Sequence, residues 1–238
     1  MQGAVAQADD APHLPRPPFD AALIAGSEVD LERLDPPRHG PDLWQAIGRH
    51  DALWLQIPSG PFPDETAFGD WLVDRSRRDA CALYAIVLRG EPRRAAGLFF
   101  LMQIAPQAGT VEMGLVYGEG LQRQRAGTEA FFRLADHVLH AQGYRRLEWR
   151  CGSDHAGSRR AALRYGFTRE GTLRQTNWIK GRNWDTAVYS ILDREWPVLS
   201  ARLARWLAPE NRGPDGRQIV PLADIDGTRP DRPATARA

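Results

Sequence analysis

Two periods of hydrophobic and polar positions alternate along this chain, and each change of period marks a predicted element. Short apolar or alternating runs bounded by turn residues predict strands within residues 23–36, 81–106 (a hairpin), 109–118, 145–151 and 184–192. Apolar residues three and four apart predict helices within 40–57 (followed there by a short strand), 64–78, 130–143, 158–167 and 193–199. This succession predicts a mixed α/β (α+β) domain built on one sheet.

The two ends of the chain differ in composition from the middle. Residues 1–19 are rich in Pro, Ala and Asp and predict a disordered N-terminal arm, and residues 209–238 predict a flexible C-terminal tail. Residues 20–208 show no internal repeat and are enough for one good-sized hydrophobic core. We therefore expect a single domain over 20–208, with an extension at each end.

Charge and composition argue against nucleic-acid, membrane and metal partners. The formal net charge is +1, so no overall attraction to nucleic acid or to a membrane surface is expected. The two cysteines provide neither a disulfide framework nor a metal-ligand set, and we predict no metal site. No apolar run approaches the roughly 20 residues of a membrane span, and the N-terminus lacks the pattern of a secretory signal. The expected location is the cytoplasm.

The segment LQRQRAGTEA, residues 121–130, stands where a predicted strand gives way to a predicted helix. The N–H groups of a helix N-terminus attract anions, Gly127 allows close approach of a ligand, and Thr128 is a candidate cap. The segment is either a solvated helix start or a cradle for a polyphosphate, to which Arg123 and Arg125 add charge. It matches neither a Walker loop nor a dinucleotide-binding fingerprint.

The hexapeptide QRQRAG, residues 122–127, resembles the Q/R-x-x-G-x-G/A pyrophosphate loop of the GNAT superfamily of acetyl-CoA-dependent N-acetyltransferases, with Arg125 in place of the central glycine. Residues 158–197 resemble the corresponding stretch of its RimJ/RimL-like branch. The matching positions are Ser158, Gly166-Phe167, Glu170-Gly171, Arg174, Lys180-Gly181-Arg182, Asp185, Tyr189-Ser190 and Glu195-Trp196. On this resemblance the chain is identified as a member of that superfamily and branch.

The resemblance implies the GNAT fold, a mostly antiparallel twisted sheet that is splayed into a V and flanked by helices. It also implies acetyl-CoA as co-substrate, with pantetheine between the strands of 109–118 and 145–151 and the pyrophosphate on the loop. The residues implied to bind it are Met113, Gly114, Leu115, Val116, Gln122, Arg123, Gln124, Arg125, Ala126, Gly127, Thr128, His155 and Ser158. Gly114 is expected to form a bulge, and a backbone N–H between Met113 and Val116 to support an oxyanion.

Two residues are catalytic candidates. Glu112 lies on the strand before the loop, where a half-buried carboxylate with a raised pKa can act as general base; the alternative is a charge at the rim of the sheet. Ser158 is the candidate partner of the leaving thiol, with a plain helix N-cap as the alternative. His155 stands where close relatives carry an Asn that bonds pantetheine, and Ala162 where many members carry a Tyr.

These residues predict direct transfer of an acetyl group from acetyl-CoA to a primary amine, either a protein N-terminus or a small-molecule amine. An α-amino group has an unperturbed pKa of about 8, so water is an alternative to a side-chain base. The alternative function is a non-catalytic acyl-CoA-binding or regulatory module, because the Tyr is missing and the Asn is replaced. No nucleic-acid or membrane partner is expected, and a homodimer is compatible with the sequence.

Overall fold

The computed structural model of the protein describes residues 13–225. In that part of the chain the β-strands are Leu23–Ile24 (β1), Val29–Arg33 (β2), Ala82–Leu88 (β3), Arg94–Ala105 (β4), Thr110–Tyr117 (β5), Arg146–Gly152 (β6), Thr168–Ile179 (β7) and Arg182–Leu192 (β8). The α-helices are Pro36–Leu43 (α1), Asp51–Trp54 (α2), Glu65–Ser76 (α3), Arg125–Asp136 (α4), Ala156–Tyr165 (α5) and Trp196–Trp206 (α6). Wider π-helical turns extend α1 over Trp44–Gly48 and α4 over His137–Ala141.

The strands form one sheet in the order β1-β2-β3-β4-β5-β6-β8-β7. β5 and β6 run parallel, and every other neighbouring pair of described strands is antiparallel. A parallel pair needs a crossover connection, and α4 provides it between β5 and β6. α4 therefore begins just after the C-terminal end of β5. The predicted fold class, a mixed and mostly antiparallel sheet flanked by helices, is confirmed.

Each face of the sheet carries its own apolar core. On one face, which we call the α4 face, α4, α5 and α6 contribute buried residues such as Phe131 and Trp196. On the other, the α3 face, α1, α2 and α3 cover β3 and β4 with residues such as Leu43 and Phe68. α4 shows the apolar spacing that the sequence predicts, because Phe131, Leu134 and Ala135 all point into its core.

Two expectations about secondary structure are wrong. The short strand predicted within 40–57 is the helical turn α2. Its Trp54 is fully buried, donates from indole Nε1 to the Ile47 carbonyl at 2.9 Å and packs edge-on against Phe68, so tertiary packing overrides local preference. β7 has no counterpart among the predicted strands. Most of its side chains are exposed on both faces of the sheet, so its sequence lacks the alternation of apolar and polar residues that predicts a strand.

The described parts of the predicted arm and tail lie against the domain. Phe19 is 5% exposed and its ring centroid lies 4.6 Å from that of Tyr144. Beyond α6, Asn211 and Leu222 are buried as well. The other residues of the arm and tail, 1–12 and 226–238, lie outside the described residues. Among residues 13–225, no helix combines the length and the apolar composition that a membrane crossing requires.

Candidate active site

β5 and β6 diverge part-way along their length. Their parallel pairing ends at Met113 and Trp149, whereas β5 stays paired with β4 as far as Tyr117 and β6 stays paired with β8 as far as Gly152. Beyond their last pair the two strands leave an opening, which we call the β5–β6 gap. Two strand edges without a ladder partner face each other across it, so a ligand that carries amide groups can bond to them as a strand would.

The bulge predicted at Gly114 is wrong. Gly114 pairs with Phe100 in regular register, and the irregularity of this strand pair lies in β4 between Met102 and Ala105, where Gln103 has a φ of 48°. The gap therefore opens because β6 turns away, and β5 needs no extra residue. A Cβ on Gly114 would lie 3.1 Å from Met102 Cε, the end of a flexible side chain that could clear it by a shift of a few tenths of an ångström.

The four residues predicted to hold pantetheine place their side chains on both faces of the sheet. Met113 is buried in the core of the α4 face, and Val116 is buried in the core of the α3 face. Leu115 is partly buried against the α4-face core, and Gly114 has no side chain to offer. Because the side chains are committed to packing, these residues contribute backbone groups to the gap.

β5 leads into a tight loop and the first turn of α4, which together we call the cradle, residues 121–128. The N–H groups of Leu121 and Gln122 donate to the Gly118 carbonyl at 3.0 and 3.1 Å, which closes the loop. Gln124 is the N-cap residue of α4, and its side chain makes no capping bond. Since first-turn N–H groups have no partner within a helix, the cradle has the makings of an anion site.

Gly127 lets the cradle fold back on itself. A Cβ at this position would lie 2.2 Å from the Leu121 carbonyl oxygen and 3.1 Å from the Tyr117 ring. The Tyr117 hydroxyl donates to the Gly127 carbonyl at 2.8 Å and so ties the end of β5 to the first turn of α4. The structure requires glycine here because the carbonyl of the loop itself comes close, and the approach of a ligand to Gly127 stays a prediction.

The polar side chains of the cradle differ in where they point. The Gln122 amide donates to the carbonyl that ends β5 at 2.7 Å, and Arg123 is exposed, with a left-handed backbone at φ 59°. The Arg125 guanidinium turns away from the loop and donates to the Glu28 carboxylate and to the Leu207 carbonyl. Arg125 therefore presents only its backbone to a ligand, whereas the Arg123 side chain lies in solvent beside the loop.

Two further cradle residues are buried. Thr128 is not the predicted cap, because α4 begins at Arg125 and Thr128 lies inside its first turn. The Thr128 hydroxyl accepts from the Arg164 guanidinium at 3.1 Å, and the residue is 2% exposed. Ala126 is 7% exposed and packs into the α4-face core.

Glu112 lies on β5 between Val111 and Met113 of the α4-face core, so by alternation its carboxylate is on the α3 face. It is two residues, about 7 Å, from Gly114 at the start of the gap. Burial raises the pKa of Glu112, the nearby Arg150 guanidinium opposes that rise, and Glu148 adds to it. Arg150 is 3.5 Å from the Glu112 carboxylate but bonds Glu148 at 2.8 Å. The carboxyl of Glu112 thus has the raised pKa that suits a general base.

Ser158 lies in the first turn of α5. The Trp149 indole Nε1 donates to its hydroxyl oxygen at 2.9 Å. Burial raises the pKa of the neighbouring Cys151 thiol, and hydrogen bonding to Ser158 counters part of this rise. The N-cap interpretation of Ser158 is wrong, because His155 occupies the N-cap of α5. Since the indole donates a hydrogen bond to the oxygen, the Ser158 O–H is left to donate a hydrogen bond to another acceptor, such as a thiolate.

His155 and the neighbouring helix complete the far side of the gap. The His155 backbone N–H donates to the Gly152 carbonyl at 2.9 Å, and burial lowers the pKa of its imidazole. The neutral ring offers one donor and one acceptor. Ala162 is fully buried and has no hydroxyl. The Tyr165 ring stacks on Phe131 with a centroid distance of 4.1 Å, and its hydroxyl donates to the Gly127 carbonyl at 3.4 Å.

Comparison with known proteins decides the family. The family model of the acetyltransferase (GNAT) domain matches residues 33–168. A crystal structure of a GCN5-related N-acetyltransferase from Brucella melitensis is 36% identical, covers 89% of this chain and 96% of its own, and superposes with a TM-score of 0.84. The chain belongs to the GNAT acetyltransferase family. A probable GNAT acetyltransferase from Chromobacterium violaceum is 38% identical over 82% of this chain and 98% of its own, with a TM-score of 0.74.

More distant structures share the GNAT fold. RimL, an alpha-N-protein acetyltransferase solved in complex with coenzyme A, is 23% identical over 71% of this GNAT chain and 97% of its own, with a TM-score of 0.60. At that identity the likeness shows the fold alone. A search of curated protein sequences finds no significant match.

Sequence reasoning did not predict the contacts that three residues make around this site. Tyr117 bonds the first turn of α4, Trp149 orients Ser158, and Arg150 lies between the carboxylates of Glu112 and Glu148. An aromatic residue at the end of the strand before the loop was a signal for the first. Trp149 and Arg150 stand just before Cys151 in the printed sequence, but only the pairing of β6 with β5 brings them to the gap.

Proposed function

We propose that this GNAT protein transfers an acetyl group from acetyl-CoA to a primary amine by direct attack. One observation carries the proposal: β5 lines the β5–β6 gap and runs straight into the cradle. A single strand thus presents edge amides for a pantetheine arm and, a few residues later, helix N–H groups for a pyrophosphate. Arg123 and the uncapped first turn of α4 would hold the phosphates, and His155 would contact pantetheine.

The residues divide the chemistry between the two faces of the sheet. A backbone N–H of residues 114–116 would donate to the thioester oxygen as negative charge develops on it. Glu112, on the α3 face, would accept the proton that the attacking amine loses. Ser158, on the α4 face, would donate a hydrogen bond to the departing thiolate, which would take its proton from solvent, while Trp149 keeps the Ser158 hydroxyl oriented.

The acceptor would approach from the α3 face. The core under α1, α2 and α3 includes residues of β3, β4 and β5 but none of β6 or β8. The apolar packing of these three helices therefore does not cover the part of this face beside Glu112. A small-molecule amine and a peptide N-terminus both fit this approach. Membership of the RimJ/RimL-like branch, which would favour a peptide N-terminus, remains our hypothesis from residues 158–197.

The test is thiol release from acetyl-CoA in the presence of a panel of primary amines, with mass spectrometry of the products. We expect one class of acceptor to gain 42 mass units per molecule (about the mass of an acetyl group replacing a proton), in equal amount to the thiol released. Binding of acetyl-CoA with no product from any amine or peptide would instead favour a non-catalytic acyl-CoA-binding module.

A further inference from the structure

Arg125 stands where the pyrophosphate loop that the chain resembles has a glycine, yet its guanidinium is not in the cradle. It is the first residue of α4, and its side chain is 19% exposed. One guanidinium nitrogen donates to the Glu28 carboxylate and the other to the Leu207 carbonyl. These partners are 97 and 82 positions away in the chain, so Arg125 joins three separate segments at the start of α4.

Glu28, the first partner, lies in the turn between β1 and β2. A second residue of α4 also bonds this turn. Glu129, one helical turn after Arg125, is 3% exposed, and its two carboxylate oxygens accept from the N–H groups of Ser27 and Glu28, each at 2.6 Å. A turn fixed by two backbone bonds holds the Glu28 carboxylate in place. The Arg125–Glu28 pair is therefore anchored at both ends, unlike a pair of flexible surface side chains.

The second partner ends α6. The Leu207 carbonyl belongs to the C-terminal end of that helix, where partial negative charge favours a cation. The segment after α6 is held by Asn211, which bonds the Trp206 carbonyl at 3.1 Å, and it returns Arg212 to within 3.8 Å of Glu28. Residues 28, 207 and 212 all lie outside the region 33–168 that the GNAT model matches.

We propose that Arg125 is a positioning residue for the cradle: through Glu28 and the end of α6 it fixes the direction of the first turn of α4, and so aims the N–H groups at the coenzyme's phosphates. The inference rests on the proposed function. It assigns to the β1–β2 turn and the C-terminal segment a role in the affinity for the phosphate-bearing half of coenzyme A, without contact between them and the ligand.

The test compares Arg125→Met and Glu28→Gln by calorimetric titration with coenzyme A and with pantetheine, which lacks the phosphates. Both variants should raise the Kd for coenzyme A about tenfold, the order expected for one charge-assisted interaction, and leave the Kd for pantetheine within about twofold. The double variant should bind coenzyme A no more weakly than the single variant with the higher Kd. Arg78→Met, which breaks an exposed ion pair with Asp74 on α3, is the matched control and should leave both constants unchanged.

Three outcomes overturn the proposal, the first being an unchanged Kd for coenzyme A in both variants. If Arg125→Met weakens coenzyme A but Glu28→Gln does not, Arg125 contacts the phosphates directly. If both ligands weaken equally, the pair supports the whole fold. Should Arg125→Met fail to fold, the isosteric Glu28→Gln variant decides alone, with circular dichroism and Tm as the check. A wild-type chain that binds no coenzyme A would refute the proposed function itself, a result distinct from an unchanged Kd in the variants.

Discussion

For Gly127→Ala, local helix preference and tertiary geometry predict opposite changes in the stability of the protein. In an isolated helix the change would stabilise α4 by about 1 kcal/mol, because alanine is the better helix former. In this protein the new Cβ would lie 2.2 Å from the Leu121 carbonyl oxygen, against 3.4 Å for an ordinary contact. The loop must therefore move by about 1 Å relative to α4, and Tyr117, which bonds the same turn, restrains it.

Overpacking of this kind typically costs about 1–3 kcal/mol, so after the gain of about 1 kcal/mol in helix preference we expect a net loss of up to about 2 kcal/mol and a fall in Tm of up to several degrees. Displacing groups by about 1 Å can cost 10²-fold in activity, so we expect the Kd for coenzyme A to rise at least tenfold. Gly69→Ala in α3 is the matched control, because a Cβ there meets no atom within 4 Å. Differential scanning calorimetry and titration with coenzyme A measure both effects. A Gly127→Ala protein as stable as Gly69→Ala, with unchanged affinity, would refute the reasoning.

Three further predictions concern the two faces of the gap and the pH dependence of stability. Glu112→Gln should lower kcat/KM about 10²-fold and make the fall of activity at low pH shallower than in the wild type, because protonation of the amine acceptor then remains but protonation of Glu112 does not; an equally steep fall in both proteins would contradict the role of base. Ser158→Ala should lower kcat about tenfold with little change in the acceptor's KM, and Trp149→Phe should lower it less; an unchanged kcat would remove Ser158 from the mechanism. Hydrogen bonds from Arg146 lower the pKa of Glu170 to about 2, from an ordinary 4.5, so their stabilisation is present above pH 4.5 and is lost as pH falls toward 2. Glu170→Gln should thus lower Tm at pH 7 and hardly at all near pH 2; an equal loss at both would show that the ion pair is not the cause.

The sequence predicts those parts of the fold whose burial repeats with a regular period. The β3–β4 hairpin and α4 are of this kind, because each has one face or both faces in a core. α2 and β7 are not: Trp54 is buried by partners remote in sequence, and β7 is held by its ladder with β8 while its side chains stay exposed.

The candidate site divides in a similar way. The cradle could be predicted, since a glycine and polar residues at a helix start are a local signal. The partner of Arg125 could not, because Glu28 lies 97 positions away and no local pattern points to it. A glycine within a predicted strand favoured a bulge at Gly114. The gap instead begins where β6 turns away from β5, and the pairing of β6 with β8 determines that point.

The central claim is that the β5–β6 gap and the cradle together form one site for coenzyme A. Calorimetric titration of the wild-type chain with coenzyme A, pantetheine and ATP tests it most directly. We predict saturable one-to-one binding of coenzyme A, weaker binding of pantetheine, which reaches only the gap, and little binding of ATP, which lacks the arm that fills it. Tight binding of ATP without coenzyme A, or no binding of coenzyme A, would contradict the account.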